Sequence, residues 1–317
     1  MPQSIVDRAG CMKKRKIKSD AMVLGSKLVR RPLQRCFPIF ILPTFLAFVI
    51  GFLYPFGRGI YLSFCSFTTP RDAEWIGFAN YARALRDPSF VYAFWYTVLF
   101  TLVSIVTINV LAFAVAYILT QNIAGANLFR TVFFMPNLIG GIVLGYIWSM
   151  IFDGVLRYYG TFLVAKTTYG FWGLVILMCW QQVGYMMIIY IAGLQGVPDS
   201  MLEAAKIDGA GKWQSLWRVI IPNVMSSVTI CAFLTLTNSF KLFDQNLALT
   251  NGMPTAFRED GAMLNTTEML ALNIYKTFYT GANSRGIAQA KAVIFFVLVA
   301  VLALAQLGAT RKKEVQQ

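Results

Sequence analysis

EAAKIDGAGKWQSLWRVIIPNV, residues 203–224, decides how the rest of the chain is read. It places Glu203, Lys206, Asp208, Lys212 and Arg218 close together in a sequence that is 57% hydrophobic and only 13% charged. Pro198 closes the apolar stretch before it, and Ser200 and Glu203 have the S-x-x-E spacing of a capping box, so a short helix is expected over MLEAAKI. Gly209 and Gly211 are expected to take the left-handed backbone that ends this helix and turns the chain. KWQSLWRVII then forms a second helix, stopped near Pro222. Two short helices around a glycine hinge make an elbow. Leu202, Ala205 and the turn give it a compact face, while Trp213, Leu216, Trp217 and Ile220 are placed to pack against membrane helices. The two tryptophans read as packing and interfacial anchors ahead of partner contacts.

The flanks of the elbow set the fold class. Mean hydropathy is +0.59 and aromatic residues make up 15% of the 317 residues, far from the balance of a water-soluble domain. Apolar runs of about 20 residues, enough to cross a bilayer core of about 30 Å, recur along the chain. Six are predicted: 37–56, 90–119, 128–152, 169–194, 222–243 and 286–307. The fold class is therefore all-α, a polytopic membrane protein with six transmembrane helices, because lipid leaves backbone groups no partner outside a helix.

Lysine and arginine orient it. Lys13, Lys14, Arg15, Lys16, Lys18, Lys27, Arg30, Arg31 and Arg35 precede the first run, which places that end in the cytoplasm. An even number of spans returns the C-terminus, with Arg311, Lys312 and Lys313, to the same side. Arg130 and the elbow fall there too. The formal net charge of +14 is then a matter of topology beside an anionic leaflet, and no nucleic-acid partner is expected. The first run is long and has no small-residue cleavage site, so it reads as a retained span; Met12 is an alternative start. The organisation expected is a basic extension over 1–35, a six-span domain over 36–310 with a cytoplasmic loop at 196–222 and an extracellular loop at 245–285, and a tail over 311–317.

Several chemistries are excluded. The chain has no histidine, which removes histidine general bases and the common zinc-hydrolase motif. Its five cysteines show no CxxC spacing, and no metal site, cofactor or disulfide is expected. GAGKW, residues 209–213, lacks both the first glycine and the hydroxyl of a phosphate-binding loop, so the chain by itself should not hydrolyse ATP. No nucleophile-and-base set or paired aspartates points to an intramembrane enzyme. A channel or ion-coupled carrier shares the span count and has no use for the elbow.

The elbow resembles the cytoplasmic signature of binding-protein-dependent ABC importer permeases: E-A-A, three residues, Gly, nine residues, then I-x-L-P. Glu203, Ala204, Ala205, Gly209 and Pro222 match at that spacing, with Val219 and Ile221 as conservative replacements. SFKLFDQNLALTNGMP, residues 239–254, is similar to S-F-x-x-F-D followed by L-T-x-G-G-P in the carbohydrate branch, the permeases of maltose, multiple-sugar and glycerol phosphate importers. Met253 departs from the second glycine, and AFREDGAML, residues 256–264, is additional loop. GIAQA, residues 286–290, resembles the small-residue start of the last span. The resemblance covers the chain after about residue 35. It implies the type I ABC importer permease fold in the bacterial cell membrane, and alternating access driven by two separate ATPase subunits on the cytoplasmic side. It also implies a second homologous permease, giving a heterodimer, and an extracellular sugar-binding protein. Residues 203–209, including Asp208, are then the coupling helix, with Pro222 closing the elbow. Glu203 either caps its helix only or also meets the ATPase.

Polar groups inside apolar runs locate the substrate path, since lipid does not tolerate them unpartnered. Trp180, Gln182 and Tyr185 lie in the fourth run beside Gln181; Asn238, Lys241 and Asp244 end the fifth; Gln289 begins the sixth. Amides, hydroxyls and aromatic faces suit sugars, an oligosaccharide in particular. The same amides also serve for bonds between helices, and Lys241 with Asp244 reads as an ion pair in preference to a substrate contact. Import of a glycerol phosphodiester or another phosphate ester is the alternative.

Overall fold

The computed structural model describes residues 41–311 apart from 122, 258–260, 262 and 282–283, so the basic extension and the tail expected from the sequence lie outside the described residues. The chain divides into two units, 1–61 and 62–317. Helix α1, Ile41–Ser63, makes up what is described of the first. Most of its side chains are exposed, Leu62 and Ser63 at its end being the buried ones, and its Phe48, Phe52 and Phe56 rings stack in sequence at 5.2 and 6.0 Å, as suits a helix solvated by lipid. A π-turn over Val49–Leu53 stands just before Pro55, where the widened turn makes room for a ring that has no N–H to give. The helix continues seven residues past the expected end at Phe56.

In the second unit, a two-stranded pair, β1 (Cys65–Ser66) with β2 (Glu74–Trp75), leads into α2, Ala79–Arg86. Asn80 of α2 donates to the carbonyls of Ser63 and Cys65, closing this connection. Helix α3, Pro88–Leu119, starts with Asp87 as its cap, the carboxylate accepting from Ser89 N at 3.0 Å, and with proline first in the helix. Helix α6, Thr167–Gln195, is the central element. Of its most apolar window 61% is buried, against 28% for α3 and 17% for the last helix, α12, Arg285–Arg311.

The third run departs from expectation. Residues 128–152 do not form one straight span: α4, Ala126–Leu138, and α5, Gly141–Tyr158, meet at 101°. Pro136 supplies no N–H inside the last turn of α4, and Gly140 is extended, so the helix ends there however apolar the residues are. A Cβ at Gly184 of α6 would sit 1.8 Å from Phe133 O, so this bend is seated backbone to backbone on the central helix. The fifth run holds one helix, α9 (Met225–Phe240), and the expected second helix of the elbow, α8 (Lys212–Asn223), precedes it at a bend of 70° about Val224. Four helices are long and apolar enough to cross a membrane, and six spans result if each bent pair counts as one.

A polar joint ties α3, α6 and α9 in the core. Tyr190 Oη donates to Asn109 Oδ1 at 2.8 Å, and Asn109 Nδ2 donates to Thr235 Oγ1 at 3.3 Å. Around it pack Phe100, Ile108, Leu177, Met186, Met187 and Cys231.

Residues 245–285, expected as a loop, are largely folded. Helix α10, Asp244–Leu249, rests on Gly141 and Gly145 of α5, where a Cβ at 145 would lie 2.5 Å from that of Ala248. A hairpin, β3 (Thr255–Phe257) with β4 (Met263–Asn265), follows, and then α11, Leu270–Thr280. The turn before the hairpin is carried by Asn251 and Gly252, both at positive φ, so Met253 is compatible with it. Two buried charges brace this region. Lys291 of α12, 1% exposed, donates to Asp87 Oδ2 at 2.6 Å, Asn273 Oδ1 at 2.9 Å and Thr277 Oγ1 at 2.8 Å. Asn273 Nδ2 in turn donates to Glu268 Oε1 at 2.7 Å, and Lys276 pairs with Glu268 Oε2 at 3.1 Å.

Candidate functional site

Where α9 gives way to α10, beside α6, the chain forms an open cavity of about 240 Å³ lined by Met178, Gln182, Asn238, Lys241, Leu242, Phe243, Asp244 and Gln245. Gln182, Asn238, Lys241 and Asp244, expected from two separate stretches of sequence, therefore line one pocket. Asn238 Nδ2 donates to Gln182 Oε1 at 3.3 Å, a long bond between two half-buried amides. The neighbouring Gln181 is buried and belongs to the frame: it accepts from Gln245 Nε2 at 2.7 Å and reaches Ile139 O, at the break between α4 and α5, at 3.4 Å.

The other expected pathway residues lie elsewhere. Trp180 is set about 200° around the helix from Gln182, so it cannot share its face. It is half exposed and meets Trp148 edge to face at 5.5 Å. Tyr185 packs against the apolar core of α6 and does not line the cavity. Gln289 lines a second cavity, of about 370 Å³, with Phe243, Ile274, Tyr275, Phe278 and Tyr279. The expected Lys241–Asp244 ion pair is not formed among the described residues. Lys241 closes α9 and Asp244 opens α10, so the intervening turn directs the two exposed groups separately. Phe243 and Gln245, which line the cavity, were not singled out in the sequence, although both sit within SFKLFDQN.

The elbow forms with its details corrected. Helix α7, Asp199–Ile207, begins two residues before the expected start at Met201, directly after the extended Pro198. Ser200 thus falls inside the helix and no side chain caps it. Asp199 in the first turn complements the helix dipole. At the other end Ala210 N donates to Ala205 O at 2.9 Å and Gly209 N to Lys206 O at 3.1 Å, the paired bonds of a Schellman turn, with Gly209 at φ 77°. Gly211 is extended, not left-handed; it begins α8 and its N–H meets Gln214 Oε1 at 3.1 Å.

Leu202 and Ala205 turn inward, whereas Glu203, Ala204, Asp208 and Gly209 are exposed. Ile207, 86% exposed at the tip, is an apolar residue that the sequence reading passed over. Leu216 and Ile220 pack with Val197, Val224, Phe113 and Tyr117 as expected. A π-turn over Leu216–Ile220, again just before a proline, carries both to the inner face. Trp213 and Trp217, expected to pack against membrane helices, are instead 70% and 54% exposed. Pro222 closes the elbow and is exposed.

A helical bundle with a polar cavity at a broken helix and a protruding elbow defines a membrane permease. The chain belongs to the binding-protein-dependent transport system inner membrane components, whose family pattern matches residues 109–313. It is a multi-pass transport subunit of the cytoplasmic membrane and not an enzyme. It is 42% identical over 287 residues to AmyD of Thermoanaerobacterium thermosulfurigenes, a probable starch degradation products transport system permease, covering 88% of this chain and 94% of that one. It is 28% identical over 277 residues to MsmF of Streptococcus mutans, a multiple sugar-binding transport system permease, covering 84% and 92%. Among solved structures, a bacterial ABC transporter involved in import of the acidic polysaccharide alginate has a chain that superposes with a TM-score of 0.73 at 18% identity, covering 90% of this chain and 98% of that one.

Proposed function

We propose that this chain is one of two homologous permeases in an ABC importer of oligosaccharides. Two cytoplasmic ATPase subunits drive it and an extracellular sugar-binding protein delivers its cargo. The carrying observation is the cavity in which Gln182 and Asn238 meet each other between α6 and α9. Their amides offer both donors and acceptors, which is what sugar hydroxyls need, and the Phe243 ring offers a face for a sugar's C–H surface. The starch and multiple-sugar transport roles named for AmyD and MsmF favour the same substrate class.

In this reading the elbow projects into the cytoplasm, where both termini also lie. Glu203, Ala204, Ile207 and Asp208 present α7 to an ATPase cleft, Ala205 seats the helix from behind, and Gly209 sets the turn. ATPase closure moves the elbows and opens the permease pair outward; the binding protein then hands over the sugar, and reopening releases it inward.

Two variants of the assembled transporter test both halves. Gly209→Leu forces a branched side chain into left-handed backbone at an exposed docking turn, and should leave an inserted permease whose stimulated ATP hydrolysis and uptake are lost together. Gln182→Ala should leave assembly intact and weaken transport by about 1 to 3 kcal/mol, the cost of a sugar hydroxyl left without its partner. Full uptake by Gly209→Leu would end the coupling role, and full uptake by Gln182→Ala would place the sugar path elsewhere.

A further inference from the structure

The elbow's second helix has a feature that coupling does not use. Trp213 and Trp217 stand one turn apart on α8 with ring centroids 5.6 Å apart, both more than half exposed, while Leu216 and Ile220 hold the inner face. Lys212 and Arg218 are exposed on the same helix, and no acidic residue occurs between 212 and 223. The acidic groups of the elbow, Asp199, Glu203 and Asp208, all precede α8. Helix α7 carries both signs, with Lys206 beside its carboxylates, whereas α8 is purely basic.

Direction matters as much as composition. Helix α8 is bent by 70° from α9, the piece of the fifth run that enters the bundle, so if α9 crosses the membrane α8 lies closer to the membrane plane than to its normal. On α9, Ile230 is also exposed, at 48%. Indoles favour the level where headgroups meet acyl chains, and basic side chains beside them favour anionic headgroups. We propose that α8 is an interfacial helix seated in the anionic cytoplasmic leaflet. Trp213 and Trp217 are its anchors, Arg218 is its contact with lipid phosphates, and coupling depends on anionic lipid at this site. The proposal rests on the cytoplasmic placement of the elbow given above. The occupant is lipid and not the ATPase because α8 pairs exposed indoles with basic side chains only, whereas α7, before the Gly209 turn, is net acidic and carries the exposed Ile207, which suits a protein cleft.

The test uses the assembled transporter in nanodiscs of phosphatidylcholine alone and of phosphatidylcholine with phosphatidylglycerol. Binding-protein-stimulated ATP hydrolysis should rise with phosphatidylglycerol for the native chain. Arg218→Gln should lose about fivefold of that lipid preference, the share of one basic residue at a membrane surface. In lipid brominated near the headgroup, the native chain should lose more tryptophan emission than the double variant Trp213→Phe, Trp217→Phe. Equal activity in both lipids, or equal loss of emission by the native and double-variant chains, overturns the proposal; the latter result would mean that protein covers the indoles. Gly209→Leu run alongside separates the two readings. If it stays coupled, the elbow's role as the ATPase contact fails, and the emission result still decides where α8 sits.

Discussion

Replacing Lys291 with methionine should destabilise the folded chain by about 3 kcal/mol. The ammonium group is 1% exposed and donates to three acceptors from two other parts of the chain, Asp87 before α3 and both Asn273 and Thr277 on α11. Removing one partner of a buried pair costs about 3–5 kcal/mol because the remaining charge keeps its desolvation without its counter-charge. The Asp87 side chain is 32% exposed and recovers some hydration, which places the expectation at the lower end. Methionine keeps most of the buried stem, so packing contributes little to the loss. Asp87→Asn in the same chain should restore part of the stability, since the unpaired carboxylate disappears while asparagine still caps α3. The assay is equilibrium unfolding of the purified protein in an SDS titration, for both single variants and the pair. A loss below about 1 kcal/mol for Lys291→Met, or a double variant no better than the single one, would refute the view that this lysine is held by charge.

Two further outcomes are expected. Lys241→Gln should leave uptake of a neutral oligosaccharide within about threefold of the native chain; a phosphate ester would lose about tenfold or more with the charge, as read in transport assays of each solute. A cysteine at Arg71 should be labelled from outside the cell and one at Lys212 should not; the opposite accessibility would reverse the membrane orientation.

The parts legible in the sequence are those in which local composition decides the outcome. The runs at 90–119, 169–194 and 286–307 became α3, α6 and α12 nearly to the residue, because a long apolar stretch has one stable form in lipid. The run at 128–152 is equally apolar, yet hydropathy carries no information on direction. Its bend depends on Pro136 and Gly140 together with the close seat at Gly184. Polarity alone pointed to Gln182, Asn238, Lys241 and Asp244, which line one pocket. Trp180 was grouped with Gln182 by nearness in sequence, which a helix turns onto another face, while Tyr185, about one turn along, packs against the apolar core instead of lining the pocket. The Lys291 cluster was beyond reach, since Asp87 lies 204 residues away and nothing local announces a buried charge.

The 3.3 Å contact between Asn238 and Gln182 carries one more implication. Without cargo Asn238 Nδ2 and Gln182 Oε1 are already paired, so in the proposed sugar path a hydroxyl that takes either atom exchanges one modest hydrogen bond for another of similar strength, and the net gain is small. Gln181 and Gln245, bonded at 2.7 Å next door, keep the walls in place while this exchange happens. A receptor that must hold its ligand would gain from open, unsatisfied groups. A carrier has to let go at the far side on every cycle, and a pocket able to re-form its own bond as the solute departs is suited to rapid turnover.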